Sequence, residues 1–77
     1  MDKSIHSSQQ AQLRRLLKEA RKAARLSQIE LAQRLHAYKS YVSKYENGER
    51  RLDVIEFMAV SKAIGIDPFK LLKKLQP

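Results

Sequence analysis

Apolar residues recur at every third or fourth position along nearly the whole chain, the spacing that gathers side chains on one face of an α-helix. No stretch alternates apolar and polar residues over the length of a useful strand. Leu13, Leu16, Leu17, Ala20 and Ala24 form one apolar stripe, with Arg14, Arg15, Lys18, Lys22 and Arg25 lying off it. This predicts a first helix over about Ser8–Ala24, preceded by a mobile polar tail of residues 1–7. The remaining residues, 8–77, are expected to form one domain.

Capping signals mark the later helices. Ser27-Gln28-Ile29-Glu30 reads as a capping box, in which Ser27 accepts from the Glu30 amide and Glu30 from that of Ser27. Leu26 and Leu31 flank it as a hydrophobic staple. The second helix then turns Leu31, Ala32 and Leu35 inward. After a break at His36-Ala37 the third helix is expected from about Tyr38 to Asn47. Gly48 ends it, because glycine adopts the left-handed conformation at low cost. The loop Glu49-Arg50-Arg51 leads to a second capping box, Asp53-Val54-Ile55-Glu56, stapled by Leu52 and Phe57. The fourth helix runs to Ile64 and ends at Gly65. Asp67-Pro68 opens the fifth, with proline at the first helical position and Ile66 and Leu71 as its staple. The fifth helix carries Phe69, Leu71, Leu72 and Leu75. The expected fold is all-α, a compact five-helix bundle.

The third helix has two unlike sides. On a wheel of about 100° per residue, Lys39, Ser43, Asn47, Ser40 and Lys44 share an arc of roughly 140°. Tyr38, Tyr41, Val42 and Tyr45 lie opposite and are expected inward. Lysine can donate to guanine O6 and N7, serine can donate or accept, and small residues let a helix sit deep in a major groove. The ordinary alternative is a solvated helix face. Glu46 falls beside Val42, at the edge of the apolar side, where a carboxylate without a partner is costly. Arg21 lies at the edge of the first stripe, and the two are expected to pair.

Charge adds to this picture. Sixteen Lys and Arg against eight Asp and Glu leave a net +8 on 77 residues. Residues 1–25 carry +5, residues 26–52 +2 and residues 53–77 +1. Such an excess suits a polyanion, nucleic acid before an acidic membrane surface. It also suits a surface that merely resists aggregation. There is no cysteine, so neither a disulfide nor a thiolate metal site is available. The polar start MDKSIHSSQQ has no secretory h-region, and no apolar run is long enough for a bilayer. A cytoplasmic location is expected. His6, in a polar tail, and His36, in a turn, have no paired acids at a useful spacing. Neither catalysis, a metal nor a cofactor is expected.

The stretch LSQIELAQRLHAYKSYVSKYENGERRLDVIEFMAVSKAIGIDP resembles the helix-turn-helix family that includes phage Cro and repressor proteins, the XRE-like regulators. Ser27-Gln28, Leu31-Ala32, Leu35, Val42-Ser43, Glu46-Asn47-Gly48 and Ala63-Ile64-Gly65 carry the resemblance, which spans about residues 10–75. It implies a lambda-repressor-like DNA-binding domain, a transcriptional regulator acting as a homodimer on a palindromic operator, most often a repressor. It also implies the Arg21–Glu46 pair. By position, Lys39, Ser40 and Lys44 would meet base edges, flanked by Tyr41 and Ser43. Ser27, Gln28, Asn47, Arg50 and Arg51 would meet phosphate, with Gln28 also bracing the third helix.

Three positions depart from the family pattern. His36 stands where glycine is usual, and Tyr38 where a Ser or Thr cap is usual, so that Ser40 is an alternative cap. Ile29 stands where a polar residue is common. Val54, Ile55, Met58, Phe69 and Leu72 offer more apolar surface than one small core absorbs, which suits a dimer interface. Phe57, Met58, Val60 and Ile64 read first as core. The basic side of the first helix reads as a solvated face rather than a second DNA surface. Two further readings stay open: an antitoxin or co-regulator whose main partner is a protein, and the control protein of a restriction–modification system.

Overall fold

Each predicted helix is present in the computed structural model, which describes residues 4–75. In chain order they are α1 (Ser4–Ala23), α2 (Gln28–Leu35), α3 (Lys39–Glu46), α4 (Val54–Ile64) and α5 (Pro68–Lys73). α2 packs on α3 and α4, α1 crosses α3, α4 and α5, and α4 supports α5. Every helix gives the core something. Leu17 comes from α1, Leu31 and Ala32 from α2, Val42 and Tyr45 from α3, Phe57, Val60 and Ile64 from α4, and Leu71 from α5. Fully burying one such large apolar side chain contributes about 1.5–3 kcal/mol before entropy is counted. Ser61 is also buried, and its hydroxyl is satisfied by donating to the Phe57 carbonyl at 2.9 Å.

The helix starts follow the capping chemistry. Ser27 Oγ accepts from the Glu30 amide at 3.0 Å, and Glu30 Oε1 accepts from the Ser27 amide at 2.8 Å. Asp53 and Glu56 repeat the exchange at 2.7 and 3.0 Å. Asp67 accepts from the Phe69 amide at 2.9 Å, with Pro68 in the first turn. α1 begins at Ser4 rather than near Ser8, so residues 4–7, expected in a tail, are helical. No glycine or proline interrupts this stretch, and the Gln and Ala at positions 9–12 that follow it propagate a helix well. The rest of the expected tail, residues 1–3, lies outside the described residues.

Four other expectations are corrected. Leu75, expected on the fifth helix, lies beyond the end of α5 at Lys73. Ala24 follows the last helical residue of α1 and is exposed. Met58 is exposed on α4 rather than in the core. Tyr38, placed on the inward side by the wheel, is 86 % exposed. It is the N-cap of α3, with φ −78° and ψ 152°, so its backbone is extended and the helical phase does not apply to it.

The first four helices end in one geometry. The last turn closes with a 6→1 and a 5→2 bond: Leu26 to Arg21 and Arg25 to Lys22, Ala37 to Ala32 and His36 to Gln33, Glu49 to Lys44 and Gly48 to Tyr45, Ile66 to Ser61 and Gly65 to Lys62. This Schellman closure needs a left-handed residue. Gly48 and Gly65 meet it freely, whereas Arg25 (φ 61°) and His36 (φ 55°) meet it with a Cβ. Left-handed backbone costs an L-residue about 1–2 kcal/mol, against which a glycine loses more chain entropy on folding. His36 is exposed and is the simpler test. His36→Gly is expected to stabilise by about 0.5–1 kcal/mol and raise the melting midpoint by roughly 2–8 °C. An unchanged or lower midpoint in thermal melts followed by circular dichroism would contradict that balance.

Candidate nucleic-acid interface

α2, the turn at His36 and α3 bring the expected site residues to one region. The clamp beneath it is charged and buried. Arg21 Nε donates to Glu46 Oε2 at 2.7 Å and Nη2 donates to Glu46 Oε1 at 3.1 Å, a bidentate pair. Arg21 Nη1 donates to the Leu26 carbonyl at 2.7 Å. Gln28 Nε2 donates to Glu46 Oε1 at 2.9 Å. Arg21 and Glu46 are 6 % and 7 % exposed. The hydrogen bond to Glu46 holds the guanidinium pKa above its already high ordinary value, with burial opposing. One carboxylate on α3 is thus gripped from α1 and from the start of α2, which sets how α3 lies across both.

The other side of α3 faces solvent. Lys39, Ser40, Lys44 and Asn47 are exposed. Tyr38 occupies the cap without any side-chain cap bond. Ser40 therefore sits inside the first turn, and Lys39 is the first helical residue. Ser43 is half-buried, and its hydroxyl donates back to the Ser40 carbonyl at 3.3 Å. Beside this face, Ser27 commits its hydroxyl to the cap of α2. The first amides of that helix, those of Gln28 and Ile29, are left without intrahelical acceptors, as at any helix start. Ile29 itself is exposed.

Tyr41 is turned sideways. It is half-buried, meets Tyr45 edge-on at 5.9 Å, and carries the Arg50 guanidinium over its ring at 4.8 Å. Burial first, and then the Glu56 charge, raise its phenol pKa. Arg50 is partly committed within the chain, because Nη2 donates to Glu56 Oε2 at 2.7 Å. That bond, followed by the Asp53 amide, holds the Glu56 carboxyl below the usual range. Arg51 is exposed with no ion pair among the described residues. The structure therefore groups Lys39, Ser40, Lys44, Asn47 and Arg51 as outward groups. Gln28, Tyr41 and Arg50 act partly as supports.

Two supporting residues were not anticipated. Glu56 is legible as a capping residue, but its second oxygen also anchors Arg50 across the loop. Arg34 Nη1 donates to the Ala63 carbonyl at 3.0 Å, tying the end of α2 to that of α4. No motif in the sequence announces either tie.

Among the described residues no helix is long and apolar enough to cross a membrane. Residues 17–71 match the family model described as helix-turn-helix. No curated protein matches the chain. Among solved structures, an XRE-family like protein from Pseudomonas syringae pv. tomato str. DC3000 is 56 % identical, with a TM-score of 0.90 over 94 % of this chain and 88 % of that one. The restriction–modification controller protein C.AhdI from Aeromonas hydrophila is 30 % identical, with a TM-score of 0.75 over 83 % of this chain and 97 % of that one. With its buried clamp, its capped α2 and its outward α3, the chain belongs to the XRE family of helix-turn-helix DNA-binding transcriptional regulators.

Proposed function

We propose that the protein acts as a homodimeric repressor, reading a palindromic operator with α3 of each subunit in successive major grooves. The observation that carries this reading is the uncrowded Lys39–Ser40–Lys44 face beside the first amides of α2 and the Arg51 loop. Lys39, Ser40 and Lys44 would select bases. Asn47 and Arg51, the free edge of Arg50 and the α2 amides would grip phosphate. Ser27 would contribute through the helix start that it caps, and Gln28 by bracing α3. Tyr41 and Ser43 would bear on sequence choice by supporting their neighbours, because their side chains are already engaged.

Dimerisation is supported by an apolar face on α4 and α5. Val54, Ile55 and Phe69 are 71 %, 74 % and 65 % exposed, with Met58 and Leu72 beside them. Val54, Met58, Phe69 and Leu72 line one groove together with Phe57 and Pro68. A contiguous apolar surface of this kind favours burial against another chain. The likeness to C.AhdI supports a variant of the same reading, a regulator serving a restriction–modification operon.

Selection of bound fragments from random duplexes, paired with sedimentation, tests the proposal. The expected consensus is two-fold symmetric, with half-site centres about one helical turn, 34–36 Å, apart. The free protein should sediment as a dimer and Phe69→Lys as a monomer. An asymmetric single site bound by a monomer would overturn the homodimer, and no enrichment in dilute salt would overturn the regulator itself.

A further inference from the structure

A depression of about 150 Å³ lies between α1 and the loop after α3, lined among others by Gln10, Arg14, Tyr45, Gly48, Arg50 and Arg51. It collects three guanidinium-bearing side chains and no carboxylate-bearing one. Arg14 and Arg51 have no acidic partner among the described residues. Glu56 compensates Arg50, but Arg14 and Arg51 repel one another unless an anion sits between them. Gly48 makes the close approach possible, since a Cβ there would come within 2.9 Å of Arg14 Cζ.

Tyr45 also lines the depression, but its hydroxyl is buried beside the Arg21–Glu46 clamp and is not a ligand for an anion seated there. A simpler account would have Arg14 merely offset the negative end of the α3 dipole. Yet the carbonyls of Ser43, Lys44 and Tyr45 already accept from the amides of Asn47, Glu49 and Gly48.

We propose that this depression binds a phosphate group, with Arg14 of α1 as a phosphate ligand beside Arg51 and the side of Arg50 not held by Glu56. Guanidinium groups suit a tetrahedral oxyanion because they donate two parallel bonds. The phosphate belongs either to a duplex backbone or to a free phosphate compound. The duplex source rests on the DNA-binding reading above and carries the interface from α3 onto α1. The free source does not depend on that reading.

Two measurements on the full chain, with melting curves to check folding, decide the matter. In the first, duplex affinity is followed across a salt series. Arg14→Gln is expected to flatten the slope of log K against log salt by about 0.9, the loss of one phosphate contact. The loss should be equal for preferred and random duplexes, and Arg14→Lys should restore it. In the second, inorganic tripolyphosphate is titrated without DNA and followed by NMR. Saturable shifts are expected at the Gly48–Leu52 amides and the Arg14 side chain. Arg14→Gln should weaken them by about tenfold, the effect of one charge-assisted hydrogen bond. A change in the first measurement alone assigns the phosphate to the duplex, and a change in the second alone assigns it to a free compound. If the protein ignores every duplex, the regulator reading fails while the titration still decides the site. Unchanged slopes with no saturable shifts, or shifts spread evenly over all basic residues, overturn the proposal. Should Arg14→Gln fail to fold, the wild-type titration read at the Arg14 side chain still separates a defined site from scattered binding.

Discussion

Glu46→Ala is expected to remove about 3–5 kcal/mol of folding stability, as losing one partner of a buried ion pair does. A small domain has only about 5–15 kcal/mol in total, so this variant should be largely unfolded at modest urea. The reason lies in what is left behind. Arg21, 6 % exposed beside Glu46, would keep its charge with the Leu26 carbonyl alone, and Gln28 would lose its acceptor. The pair itself is a weaker source of stability than this number suggests, because bringing both charges out of water is costly. Arg21→Met combined with Glu46→Leu should therefore lose much less than either single change. Urea unfolding of the four proteins in a double-mutant cycle measures the coupling. A Glu46→Ala loss below about 1 kcal/mol, typical of an exposed pair, would show that the clamp is solvated in solution.

Lys44→Ala and Lys39→Ala are expected to erase discrimination worth about 1–3 kcal/mol at the base pair that each one reads. Both ammonium groups project from the outward side of α3, and neither is held by an ion pair among the described residues. Competition among operator variants reads the effect as a loss of ranking at one position. A uniform weakening over all sequences would instead make these lysines phosphate contacts, the behaviour expected of Arg51→Ala. Lys39 is the sharper case. Because Tyr38 and not Ser40 caps α3, Lys39 stands in the first turn, the part of such a helix that meets base edges.

Much of the architecture was legible because it depends on local chemistry. The boxes at Ser27 and Asp53, the proline after Asp67 and the glycines at 48 and 65 act over a few residues, and each marks a real helix end. The Arg21–Glu46 pair was legible from two wheels and the cost of an unpaired charge. What escaped the sequence lies where those rules lapse. Tyr38 sits outside the helix whose phase was applied to it. α4 is apolar on several sides, so periodicity could not say that Val60 goes in and Met58 stays out. Nothing forbade α1 from starting earlier, and only a stop signal would have placed its end. The tie of Glu56 to Arg50, and the approach of Arg14 to the Gly48 backbone, join residues whose neighbourhood exists only after the chain has folded.

The apolar groove of α4 and α5 has a consequence for dosage. If two copies must meet there before they hold an operator, occupancy at low abundance varies with the square of protein level. Doubling synthesis would then raise occupancy about fourfold. A cell would read such a protein less as a rheostat than as a threshold.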